Sequence, residues 1–107
     1  MSKRAKRAID HEIGNMIYRA RREGMNETQH AIWHAIAGWL NENEEAPTLT
    51  EIAQSVGCSR QLVWQYLHVL EALDMIMIVR NPRTGRQANR GILLIVSPQD
   101  VVEGGVM

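Results

Sequence analysis

Residues Leu49 to His68 read LTEIAQSVGCSRQLVWQYLH, and this stretch decides the fold. Two short helical patterns meet at a break, Gly57-Cys58. The first places apolar residues at Ile52, Ala53 and Val56, the second at Val63, Tyr66, Leu67 and Leu70, both at helical spacing. Thr48 and Glu51 form a Thr-x-x-Glu capping box at the start, and Pro47 pushes Ala46 out of helical geometry. Gly57 can take the left-handed conformation that a tight exit needs. Ser59 then caps a second helix running to about Asp74. A helix, a glycine turn and a crossing second helix make a helix-turn-helix unit, whose second helix lies in the DNA major groove.

Small residues fall where that geometry needs them. Ala53 lies where the helices cross closely, and Val63 faces back into the crossing. This leaves Arg60, Gln61, Trp64, Gln65, His68 and Glu71 on the opposite face of the second helix, three and four residues apart. Arginine can read guanine and glutamine can read adenine through paired hydrogen bonds. Ser59 and the N–H groups beside it suit a phosphate. Trp64 has two readings: packing on neighbouring structure, or apolar contact with a thymine methyl or a sugar.

Outward from this stretch, residues 3 to 23 predict a helix with an apolar stripe of Ile9, Ile13, Met16, Ile17 and Ala20, stopped at Gly24. A second helix starts near Asn26, where Asn26 and Gln29 resemble a capping box, and its apolar face runs from Ala31 to Leu40. Asn41 to Ala46 reads as an acidic loop. After Met75 the period changes. Met75 to Val79 and Gly91 to Val96 predict the strands of a hairpin, with Arg80 to Arg90 as a long basic loop containing Asn-Pro and Thr-Gly turn signals. The expected class is α+β, mainly helical: a winged helix-turn-helix with a C-terminal β-hairpin wing and an extra N-terminal helix. The expected division is a basic helix at 1–24, a DNA-binding domain at 25–97 and a flexible tail at 98–107.

Composition sets bounds. A chain of 107 residues fits one modest core. The single Cys58 excludes an intrachain disulfide, reads as a small apolar plug in the turn and fits a reducing compartment. There is no membrane-length apolar run and no signal-peptide core, so a cytoplasmic, nucleoid-associated protein is expected. Net charge is +0, yet Lys3, Arg4, Lys6, Arg7, Arg19, Arg21 and Arg22 cluster at one end and Arg80, Arg83, Arg86 and Arg90 in the hairpin loop. Acids collect at Glu42, Glu44 and Glu45 and in the tail. Two basic segments on a neutral chain suggest a phosphate-facing side; charged faces that are merely solvated are the plain alternative.

The run PTLTEIAQSVGCS, followed by VWQYLHVLEALDMI and then NRGILLI, resembles the N-terminal DNA-binding domain of the LexA repressor family. The residues that carry the resemblance are Pro47, Thr48, Glu51, Ile52, Ala53, Gly57, Leu67, Leu70, Leu73, Arg90, Gly91, Ile92 and Leu94, within about residues 27 to 96. By position it implies that Ser59, Gln61, Leu62, Trp64 and Gln65 read operator bases. Three features depart from the family. The helix after the turn is one residue short at its start, which leaves the reading register open by about that much. The hairpin loop is longer and more basic. The self-cleaving Ser/Lys protease domain has no counterpart here, so autocleavage is not implied.

The N-terminal helix has no counterpart in that domain and admits three readings. In the first it supplies a dimer face, setting paired reading helices about 34 Å apart on a palindrome. In the second its Lys3, Arg4, Lys6 and Arg7 form an arm on phosphates or in the minor groove. In the third residues 9 to 20 simply cover the core. The expectation is a sequence-specific double-stranded DNA-binding regulator, a homodimeric repressor, with Thr48, Arg80 and Arg90 joining the contact set. The alternative is a winged-helix protein-interaction module that does not bind DNA. His30 and His34, four apart on a helix, are a weak metal pair. No catalytic constellation, phosphate loop or dinucleotide fingerprint is present, so neither an enzyme, a cofactor nor a metal is expected.

Overall fold

The computed structural model describes residues 3–98, with side chains from Asp10 onward. Four helices, α1 (Lys3–Glu23), α2 (Glu27–Asn43), α3 (Leu49–Val56) and α4 (Arg60–Ala72), precede β1 (Ile76–Arg80) and β2 (Gln87–Leu94). The molecule is thus a mainly helical α+β protein closed by one antiparallel hairpin. The side chains of Lys3, Arg4, Lys6 and Arg7, and the chain beyond Pro98, lie outside the described residues.

The helix ends follow the capping chemistry. Asn26 Oδ1 accepts from Gln29 N at 2.8 Å while Gln29 Oε1 accepts from Asn26 N at 3.0 Å. Thr48 Oγ1 accepts from Glu51 N at 3.1 Å, and Glu51 Oε1 accepts from Thr48 N at 2.9 Å. Both capping boxes expected from sequence are therefore present. Gly57 closes α3 with φ +83° and donates to Ala53 O at 2.8 Å. Ser59 caps α4 through Leu62 N. At the end of α2 the chain runs on to Asn43, and the left-handed residue is Glu44, φ 60°; the acidic loop begins later than Asn41.

One core joins all the elements. α1, α2, α3 and β1 each pack on α4, and Val63, Leu67, Val69 and Leu70 are fully buried. Ile32, Ile36, Ile52, Ile76 and Ile92 complete the centre. Ile13 and Ala20 of α1 belong to this core, with Met16 and Ile17 packed against it. Part of the apolar stripe of α1 thus packs on the chain's own core, and the side chain of Ile9 lies outside the described residues. Trp33 Nε1 donates to Val96 O at 2.7 Å and ties the segment just after β2 to α2.

The hairpin loop is shorter than expected. Pairing of Arg80 with Gln87 reduces it to residues 81–86. Asn81 N donates to Arg86 O at 2.7 Å, Gly85 N to Asn81 O at 2.8 Å, and Gly85 takes φ +72°. These bonds convert polar residues read as loop into strand. The register shifts between Ile78 and Arg80, and on the facing strand Arg90 sits at φ 56°.

Candidate nucleic-acid interface

α4 presents a narrow outer face. Arg60, Gln61 and Trp64 are exposed, with His68 and Glu71 half-buried behind them. Gln65 corrects the sequence reading: it is only 6% exposed. Leu62, the position implied by resemblance, is half-buried and packs against the core. Both fall on the flank shared with Val69. That flank turns inward because α4 has packing partners on most of its circumference, α1 among them. An apolar 3–4 pattern marks the centre of a buried arc and not its width.

The hairpin stands beside this face, and two clefts separate it from the helices. One, ≈ 360 Å³, is lined by Thr48, Leu49, Thr50, Arg60, Gln87, Ala88, Asn89 and Arg90. It brings Thr48 and Arg60 together with Gln87 and Asn89, two residues missed while they were counted as loop. The other, ≈ 400 Å³, lies between Trp64 and His68 on α4 and Ile78, Arg80, Gly85, Arg86 and Gln87 on the hairpin. Trp64 meets His68 edge-on, ring centroids 4.5 Å apart at 70°. Trp64 is thus supported by its own helix and faces the hairpin across a cleft. Burial pushes the His68 imidazole below its ordinary pKa and Arg80 adds to this, against Glu71 and Asp10, so the neutral ring is favoured against Trp64.

The arginines divide into two groups. Arg90, expected on DNA, is committed elsewhere. Its Nη1 donates to Glu51 Oε1 at 2.8 Å and to Ala46 O at 3.0 Å, and its Nη2 to Glu51 Oε2 at 3.2 Å. Glu45 Oε2 lies 3.6 Å from Arg90 Nε. The left-handed backbone at Arg90 accompanies the strand irregularity, and its guanidinium reaches back to the cap of α3. Hydrogen bonding from Arg90 holds the Glu51 carboxyl below its usual range, and the same bond raises Arg90. Arg80 likewise donates to Glu71, Nη2 to Oε1 at 3.2 Å. Burial alone would raise the Glu71 carboxyl; bonds from Arg80 and from Ile78 N outweigh it and hold it low. Arg60, Arg83 and Arg86 are exposed and, among the described residues, in no ion pair. The loop backbone at the last two is fixed by side chains: Asn81 Oδ1 accepts from Arg83 N at 2.9 Å, and Thr84 Oγ1 from Arg86 N at 3.2 Å.

Cys58 packs partly buried against the core. His30 and His34 lie on α2 with rings 6.4 Å apart. Among the described residues no group of three or more His, Cys, Asp or Glu is placed to hold a metal ion. No described helix is long and apolar enough to cross a membrane. The chain matches no protein-family model and no curated protein sequence.

Proposed function

We propose that the chain is a sequence-specific double-stranded DNA-binding regulator of winged helix-turn-helix type, acting as a repressor as its LexA-like motifs imply. The observation that carries this reading is one edge of the molecule. There the outer face of α4, with Arg60, Gln61 and Trp64 exposed, faces the hairpin's Arg86 across a cleft that Trp64 and Arg86 both line, and Arg83 lies in the same loop as Arg86. An exposed helix face bearing bidentate hydrogen-bonding side chains suits base edges in the major groove. Exposed cations on the hairpin loop suit phosphates or the adjacent minor groove. Gln61 and Arg60 are the base readers, Ser59 and Arg83 the backbone contacts, and Trp64 an apolar contact.

Selection of bound sites from random duplex tests the reading. Gln61→Ala is expected to cost about 1–3 kcal/mol at particular bases and relax preference there. Arg83→Ala weakens all sequences about equally and lowers the salt slope by about one. An unchanged site preference in Gln61→Ala would sink the assignment of α4 as reader.

The neutral net charge keeps the second reading, a protein-interaction module, in view. A salt titration on random duplex separates the two: steep weakening with salt belongs to phosphate contact. A homodimer on a palindrome stays within the proposal, with Ile13 and Ala20 of α1 already taken up by the core.

A further inference from the structure

The outer face of α4 does not stand free along its whole length. Around Trp64 and His68 it forms one wall of the ≈ 400 Å³ cleft, and the hairpin forms the other. That volume falls in the range of small-ligand sites, roughly 300–1,000 Å³. The two rings meet edge to face. Whichever ring gives the edge, at least one face of the Trp64 indole stays uncovered by His68, and the contact steadies the indole. The hairpin wall supplies a cation and an amide. Arg80 is held by Glu71, whereas Arg86 is exposed and, among the described residues, in no ion pair. The Gln87 side chain makes no hydrogen bond among the described residues. Gly85 adds no side chain to the lining, and a Cβ on it would meet nothing within 4 Å, so the cleft is open there.

We propose that this cleft takes one unpaired nucleotide, its base lying on Trp64 and its phosphate at Arg86. A base paired in a duplex shows a groove only its edge, and an edge does not cover a ring set between two walls. An unstacked base offers a whole face, and such stacking tolerates any base. A ring without an anion leaves Arg86 unused, and an anion without a ring leaves Trp64 unused. A nucleotide carries both, with donors and acceptors on the base edge for the Gln87 amide. Burial favours the neutral His68 ring, which keeps that wall apolar. The inference deepens the DNA-binding reading above and rests on it where the nucleotide belongs to a strand; a free nucleotide offers the same chemistry.

NMR titration of the isotope-labelled full chain tests the site with deoxyadenosine monophosphate, deoxyadenosine and tetradeoxyadenylate. The Trp64 indole N–H resonance is identified through Trp64→Phe. The monophosphate should bind at millimolar concentration and shift the Trp64 indole and the Arg86 and Gln87 backbone N–H groups together. Deoxyadenosine should bind more weakly, and Arg86→Ala should bring the monophosphate down to that level. Trp64→Ala, followed at the Arg86 N–H, should weaken binding about tenfold. Tighter binding of tetradeoxyadenylate than of the monophosphate supports the site with a strand as its source; equal binding supports it with a free nucleotide. No shift up to the solubility limit overturns the proposal, and so does binding that either Ala variant leaves unchanged. A chain that binds a selected duplex but none of these nucleotides loses this site and keeps the functional reading. One that takes the nucleotide at Trp64 and Arg86 but binds no duplex keeps the site and loses that reading.

Discussion

At the scale of the residue, Glu51 has two duties. One carboxylate caps α3 and holds Arg90: its Oε1 accepts from both Thr48 N and Arg90 Nη1, within the capacity of a carboxylate oxygen. Its pKa is held down in the fold, chiefly by the hydrogen bond from Arg90. The stabilisation is therefore complete above the ordinary carboxylate pKa and disappears as the pH falls through the lowered value. Thermal melts should show Glu51→Gln with a lower Tm than the parent at neutral pH, and the gap should shrink below about pH 4.5. A gap independent of pH would exclude the ion pair as its source. Thr48, Glu51, Asn26 and Ser59 were legible in the sequence because caps are local: donor and acceptor lie three residues apart. The ion pair of Arg90 was missed for the converse reason. Its partner is 39 residues away, and nothing in a linear pattern distinguishes a paired arginine from a free one.

At the scale of the element, α4 and the hairpin show what periodicity can carry. The buried row Val63, Leu67 and Leu70 was visible as a helical pattern. The burial of Gln65 was not, since it depends on what packs against the flank. In the hairpin, Gln87 to Arg90 lack apolar alternation and so read as loop, whereas pairing with Arg80 makes strand of them. Gly91 carries a signal that is steric. A Cβ there would lie 2.6 Å from Val79 O and 2.8 Å from Ala88 O, both backbone atoms that cannot step aside cheaply. Gly91→Ala should cost about 1–3 kcal/mol in denaturant unfolding. A neutral result would mean that the strands can separate there freely.

At the scale of the whole molecule, α1 changed most between sequence and structure. Its stripe was readable, but not its destination, because an amphipathic helix looks the same whether it meets its own core or another chain. Ile13 and Ala20 lie in the core, so Ile13→Ala should cost about 2–5 kcal/mol and leave the Tm independent of protein concentration. A loss that dilution reproduces in the parent would instead point to an interface through α1. The charge pattern was legible only as two basic runs; folding sorts the hairpin run into arginines held by carboxylates, Arg80 and Arg90, and arginines left to solvent, Arg83 and Arg86. The bond between Glu51 and Arg90 has a further consequence, one of assembly. It closes a long loop, so the carboxylate that caps α3 is also anchored to the hairpin. Opening the hairpin from the body must also loosen the first turn of α3, and the two should be lost together in one step of unfolding and regained together on refolding. The hairpin is then part of what makes the two central helices rigid, and not an appendage they carry.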